Sequence, residues 1–200
     1  LLNKKKYFLP IKNNKMFNMK TLEVTDRTIN DLFSYECDAN YVTMTDIEEN
    51  DIKQYFLDLF CGKEDTMQVV LNILKSMLTG EPLRYIFFFT GSGSNGKSLL
   101  FNILGKIFNK AMDTIDTRVI LESKSSNLTT EYEKLDKCRI GYITELKETD
   151  VLNTTNAKKI SGGDPIDFRG LYQTNKTMIP TCSLGVLTNG MAKFNVEPAI

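Results

Sequence analysis

Eight consecutive residues carry the densest chemistry in this 200-residue chain: Gly91-Ser92-Gly93-Ser94-Asn95-Gly96-Lys97-Ser98. They fit the pattern G-x-x-x-x-G-K-[ST], in which a glycine-rich turn lets successive backbone N–H groups converge on phosphate oxygens. Lys97 supplies a mobile positive charge for β- and γ-phosphates, and the Ser98 hydroxyl is of the type that ligates Mg²⁺. Two further polar residues follow apolar runs. Glu145 comes after Cys138-Arg139-Ile140-Gly141-Tyr142-Ile143-Thr144, and Asn189 comes after Ser183-Leu184-Gly185-Val186-Leu187-Thr188. A carboxylate there suits a general base or a water-positioning role, with a part in holding Mg²⁺. An amide there suits orienting the attacking water or sensing the γ-phosphate. Each also has a plainer reading. Glu145 could serve as an acid at a helix amino terminus, and Asn189-Gly190 is a strong turn dipeptide.

These residues need elements to hold them. Tyr85 to Thr90 reads as a buried strand feeding the loop. Leu99, Leu100, Ile103, Leu104 and Ile107 fall at helical spacing, so a helix of about 97–110 begins at the loop and turns its amino terminus toward the phosphates. The runs 138–144 and 183–188 read as two more buried strands, and Leu128 to Leu135 as a short helix. Alternating strands and helices predict an α/β domain with a mostly parallel sheet. Ligands of such sheets bind at the carboxyl ends of the strands, so the loop, Glu145 and Asn189 are expected around one γ-phosphate.

Upstream, Tyr55-Phe56, Leu59-Phe60, Val69-Val70, Ile73-Leu74 and Met77-Leu78 repeat every three to four residues, and Thr79-Gly80-Glu81-Pro82 stops the pattern. A small helical subdomain, helical from about residue 52, is therefore expected within an amino-terminal region 1–82, followed by a nucleotide-binding core 83–200. Residues 1 to about 50 show weak periodicity. Their lysines (Lys4, Lys5, Lys6, Lys12, Lys15 and Lys20) read as a solvated face or as phosphate contacts. Between Glu145 and Asn189, Gly162-Gly163-Asp164-Pro165 marks a turn. Arg169 to Tyr172 and Thr177 to Pro180 suggest two strands around a tip at 173–176, which would carry Lys176.

Composition narrows the classes. Charged residues make up 25% of the chain and cancel to a formal net charge of zero, so any nucleic-acid surface must be local. No apolar run approaches a membrane span. The chain contains no histidine, which removes Ser-His and Cys-His nucleophilic machinery. Cys37, Cys61, Cys138 and Cys182 form no C-x-x-C pair and read as reduced structural thiols of an intracellular protein. The first residue is not Met, and the chain is read as part of something longer.

The order of motifs resembles the superfamily 3 helicases, in particular the primase-helicase branch of phages, plasmids and nucleocytoplasmic large DNA viruses. The resemblance rests on the G-x-G-x-N-G-K-S loop, a strand ending in Glu, K-x-x-S-G-G-D-x-x-x-x-R-x-L-Y, a Pro and a strand ending in Asn, and covers about residues 52–200. It implies an AAA+-like motor that assembles as a ring, a hexamer, and hydrolyses ATP with Mg²⁺ while moving along single-stranded DNA. Gly91 to Ser98 would be Walker A, Glu145 the Walker B acid and Asn189 sensor 1. Lys158, Gly162, Gly163, Asp164 and Arg169 match the intervening motif, and Lys158, Arg169 and Lys176 are the residues expected at nucleic acid.

It also implies a primase domain upstream, an arginine finger beyond Ile200, and a setting in viral or phage genome replication, in host cytoplasm or nucleus or in bacterial cytoplasm. A finger supplied by a neighbour is worth about 10³–10⁵ in rate, so this stretch is expected to bind ATP and hydrolyse it poorly. Thr144 stands where many members carry a second acid, and Ala192 where a Pro is common. The competing readings are another P-loop enzyme, such as a small kinase, and a nucleotide-binding fragment without turnover.

Overall fold

Among the first 45 residues, the described ones form no helix. In the computed structural model, which describes residues 3, 5–93, 95–121, 128–144, 146–169 and 175–194, they make an antiparallel sheet of β1 (Phe8–Ile11), β2 (Lys15–Asn18) and β3 (Glu23–Asp26). Each strand has four residues and β3 is exposed throughout, so the alternation that marks a half-buried strand never becomes visible in the sequence. The β1–β2 turn places Asn13 and Asn14 at φ 64° and 57°, a left-handed conformation that asparagine tolerates better than most residues.

Two helices follow, α1 (Asp46–Leu59) and α2 (Glu64–Met77). The first starts six residues before the sequence expectation of about 52, because Thr45 and Glu48 form a capping box. The Thr45 hydroxyl accepts from the Glu48 amide at 3.4 Å, and Glu48 Oε2 accepts from the Thr45 amide at 2.8 Å. Helix α1 buries no residue fully, whereas α2 buries Met67, Leu74 and Met77.

The remaining elements alternate as expected of an α/β protein. They are β4 (Ile86–Thr90), α3 (Lys97–Phe108), β5 (Met112–Thr114), α4 (Thr129–Lys137), β6 (Ile140–Ile143), β7 (Val151–Leu152), α5 (Thr154–Gly162), β8 (Ile166–Arg169), β9 (Asn175–Met178), β10 (Ser183–Thr188) and β11 (Lys193–Phe194). The main sheet runs β4-β10-β6-β5 and is parallel throughout. The three strands expected at 85–90, 138–144 and 183–188 are β4, β6 and β10. Strand β5 is an addition, and a 3₁₀ turn, Thr117–Val119, follows it.

Strand β10 is buried along its whole length and shows why the sheet is covered on both sides. Leu184 and Val186 point into a core with Ile143, Leu152, Ile160 and Met178, beneath α4, α5 and the β8–β9 hairpin. Leu187 points into the opposite core with Leu74, Met77, Leu100, Phe101 and Ile140, beneath α2, α3 and the amino-terminal sheet. Burying each of these aliphatic side chains stabilises the fold by about 1.5–3 kcal/mol.

One charge lies inside this fold. Arg139 is 0% exposed, and its Nη2 donates to the Lys5 carbonyl at 2.8 Å. Its Nε and Nη1 have no hydrogen-bond partner among the described residues. The guanidinium occupies the space that a Cβ on Gly80 would need, and Gly80 itself has φ 75°. Arg139 therefore ties the residues before β1 to the start of β6, across the turn that ends α2.

Candidate functional site

Strand β4 delivers the chain to the phosphate loop and α3 takes it away. Gly96, the residue before α3, has φ 81°, and a Cβ there would collide with the Leu59 side chain at the end of α1. Glycine is thus required by conformation and by space. Gly96 offers no capping side chain, so the first amides of α3 stay open at the positive end of its dipole. The Ser98 hydroxyl is exposed on the first turn. Gly91 has a packing role, since a Cβ there would strike the Asn95 side chain. Ser94 lies outside the described residues.

The half-buried Lys97 gathers the site. Its Nζ donates to the Gly91 carbonyl at 2.8 Å, to Asn95 Oδ1 at 2.9 Å, to Asn189 Oδ1 at 3.2 Å and, more weakly, to the Ser92 carbonyl at 3.4 Å. All four acceptors are neutral. Among the described residues the ammonium is solvated by protein dipoles alone, which suits it to receive an anion.

Asn189 reaches Lys97 because β10 pairs with β4 in parallel, Thr188 opposite Thr90, so both strands end at one level. The turn that holds Asn189 is fastened by Thr188. Its buried hydroxyl lies 3.2 Å from the Leu146 carbonyl and 2.5 Å from the Gly190 carbonyl, and it accepts from the Gly190 amide at 3.2 Å. Thr188 was not singled out by the sequence reading. The available signal was a hydroxyl residue directly before Asn-Gly, where a side chain can bond its own turn. Glu148 was missed too. Its side chain fills the space a Cβ on Gly190 would take, which puts a carboxylate beside the Asn189 turn. Strands β7 and β11 pair in parallel, and the Lys193 amide donates to the Asp150 carbonyl at 2.9 Å. The segments that follow β6 and β10 are thereby stitched together.

Glu145 lies outside the described residues. Among the described residues, no group of three or more metal-ligating side chains of the His, Cys, Asp or Glu type occurs. The described residues supply donors for a phosphate: open helix amides, an ammonium whose described partners are neutral, and an exposed hydroxyl. For a divalent cation, Ser98 is the described ligand.

The other sequence-selected residues lie elsewhere. Lys158 is exposed on α5, whose amino terminus is capped by Asn153 accepting from the Asn156 amide at 2.9 Å. The far end of α5 sits against the residues before β4. The Arg84 amide donates to the Ser161 carbonyl at 3.0 Å, and a Cβ on Gly163 would crowd Pro82 at 2.9 Å. The Gly162-Gly163-Asp164 turn is thus at the opposite end of β4 from the phosphate loop.

Arg169 closes β8. The hairpin strands lie nearer the Gly-Gly-Asp-Pro turn than expected, at 166–169 and 175–178, because the first begins directly after Pro165. Lys176 therefore belongs to β9, opposite Phe168, rather than to the tip, and residues 170–174 lie outside the described residues. Its Nζ is 3.8 Å from Glu133 Oε1 on α4. The amino-terminal lysines also meet partners. Lys5 meets Asp31, Lys6 meets Glu81, Lys12 meets Asp38 and Lys15 meets Asp26, while Lys20 sits 3.8 Å over the Tyr7 ring. That surface carries mixed charge rather than a basic patch.

No family model matches the chain. It is 28% identical over 179 residues to a protein of Acanthamoeba polyphaga mimivirus described as "Putative helicase L207/L206", an alignment that takes in 86% of this chain and 18% of the mimivirus protein. Among solved structures it resembles the apo NrS-1 C-terminal region, with a TM-score of 0.59 at 17% identity over 84% of this chain and 39% of that one. A second apo structure of that region gives 0.57 at 17% identity, over 84% and 41%. The chain thus spans about a fifth of the viral relative and two fifths of the solved structures. These structural likenesses establish the fold: an α/β protein of the P-loop NTPase type, with a parallel sheet that brings Lys97 and Asn189 together.

Proposed function

We propose that this chain is the ATP-binding core of a DNA helicase of the superfamily 3 type, acting in viral genome replication. The observation that carries the reading is the 3.2 Å contact between Lys97 and Asn189, residues 92 positions apart. It joins the phosphate loop to the end of the neighbouring strand, where a γ-phosphate and its attacking water would lie. The mimivirus relative, described as a helicase, supports the viral setting.

In this reading the open amides of α3 and the loop take the phosphates of ATP. Lys97 exchanges its neutral acceptors for β- and γ-phosphate oxygens. Ser98, with help from Glu145, would hold Mg²⁺, which would supply charge neutralisation for the phosphates. Losing Lys97 as a partner frees the Asn189 amide to orient water, and Glu145 receives the proton as that water attacks phosphorus and ADP departs. Lys158, Arg169 and Lys176 face single-stranded DNA in a homo-oligomeric ring, a hexamer. The ring repeats these cations and so builds a positive channel from subunits of zero net charge. A primase domain belongs to the same full-length protein.

The test is ATP hydrolysis with and without single-stranded DNA, by the 200-residue chain and by a version extended past Ile200, each beside Lys97→Ala. DNA-stimulated turnover, reduced about 10²–10³-fold or more by Lys97→Ala, is expected of the extended version. Turnover that ignores DNA and requires a small-molecule phosphoryl acceptor would replace the helicase reading with a kinase.

A further inference from the structure

Cys138 and Cys182 face each other inside the molecule. The first immediately precedes Arg139 and β6, the second immediately precedes β10, and they are 1% and 4% exposed. Their sulfurs lie 3.2 Å apart, with the Cys138 thiol donating to Cys182 Sγ. The backbone between them is fixed. The Ser183 amide donates to the Arg139 carbonyl at 2.9 Å, the Arg139 amide donates to the Ala111 carbonyl at 2.7 Å, and Ser183 pairs with Ile140 in the parallel ladder. Gly141 makes room for the contact, since a Cβ there would sit 3.1 Å from Cys182 Sγ. The two other cysteines differ. Cys37 is buried among Leu9, Tyr35 and Leu74 on the other face of the sheet, and Cys61 is exposed.

We infer that Cys138 and Cys182 are an oxidation site, which closes to an intramolecular disulfide and staples β6 to β10 at the end of the sheet away from the phosphate loop. The sulfurs need to approach by only about 1.2 Å to reach the usual bond length of about 2.05 Å. The oxidant class is a peroxide. One thiolate attacks a peroxide oxygen and becomes a sulfenic acid as hydroxide departs. The second sulfur then attacks the sulfenic sulfur, an S–S bond replaces the S–O bond, and the oxygen leaves as water. Two thiols and one hydrogen peroxide give one disulfide and two waters. The buried, mutually bonded Cys138 thiol is held well above its ordinary pKa, first by its bond to Cys182 and then by burial, so the reaction is slow at neutral pH. Once formed, the bridge is sheltered from reductants by the same burial.

The experiment treats the chain, in a Cys61→Ser background that prevents links between molecules, with hydrogen peroxide under native conditions and then alkylates it in denaturant. The expected result is a loss of about 2 Da, one alkylatable thiol (Cys37) instead of three, and a peptide joining Cys138 to Cys182. Thermal unfolding of the oxidised form should lie about 5–15 °C above that of the reduced form, because the bridge closes a loop of more than forty residues. Cys138→Ser and Cys182→Ser should each abolish the mass loss. Oxidation that stops at sulfinic acid on separate cysteines, a bridge formed only after denaturant is added, or a bridged form that melts lower than the reduced one would each overturn the inference.

Discussion

The parallel sheet has two ends, built on opposite rules. At the amino ends of β6 and β10 lie Cys138, Arg139 and Cys182, each at most 4% exposed, and an atom added at Gly80 or Gly141 meets a neighbour. At the carboxyl ends the strands run out into Thr90, Thr144 and Asn189, all exposed, beside a helix terminus with open amides and an ammonium whose described acceptors are all neutral. One end is filled and its polar atoms are turned inward. The other keeps its donors free for something not covalently part of the chain. The same strands thus carry stability at one end and ligand chemistry at the other, and substitutions should separate the two.

The sharpest break is Gly80→Ala. A methyl group there requires a left-handed alanine and displaces the Arg139 guanidinium, so unfolding free energy should fall by about 2–4 kcal/mol in denaturant titration. ATP affinity of the folded fraction should be unchanged; a comparable loss of affinity would mean that the two ends are not independent. Asn189→Ala is the converse. In a version that hydrolyses ATP, turnover should fall at least about tenfold while the melting temperature stays put, because the side chain is exposed and its described hydrogen bond is to Lys97. Thr188→Val lies between these cases. Removing a buried hydroxyl that fastens the Asn189 turn should cost about 1 kcal/mol and lower ATP turnover as well.

The smallest effect is a pH dependence outside both ends. Asp31 accepts from Lys5 and from the Thr28 amide, which holds its carboxyl down at about 2, below its ordinary value near 4. A group with a lowered folded pKa stabilises the fold above its unfolded pKa and loses that contribution as pH falls toward the folded value. Asp31→Asn should therefore flatten the acid side of the stability curve between about pH 4 and pH 2, and leave it unaltered at neutral pH apart from a constant offset.

Much of the sheet was legible because its parallel strands read as unbroken apolar runs: Leu184 to Leu187 in β10, which is central and fully buried, and Ile86 to Phe89 in β4, which is half-buried at the sheet's edge. Strands β5, β7 and β11, at two or three residues, are too short to carry a pattern; they exist because neighbours supply the ladder. The antiparallel sheet at the amino terminus was hidden for a related reason, its outer strand being solvated on both faces. Helix α1 was legible through Thr45 and Glu48, but the apolar spacing that dates its start begins only later. Asn189 could be found because it directly follows a strand, and Lys97 because the glycine-rich loop pattern that contains it links a strand to a helix. Arg139 could not, since nothing in Cys-Arg-Ile-Gly announces a guanidinium folded over a glycine 59 positions earlier. Lys176 was misplaced by a few residues because Pro165 sets where β8 begins.

Helix α1 has one more consequence. Its first ten residues are exposed, Lys53 pairs with Glu64 at 3.0 Å, and its apolar packing begins at Phe56, so the helix is clamped through its carboxyl half. The clamp includes Leu59, whose side chain rests in the notch left by the missing Cβ of Gly96. The phosphate loop therefore has a backstop: one residue before Lys97 its backbone lies against a side chain from a separate helix, and any larger residue at that point would have to push the end of α1 aside.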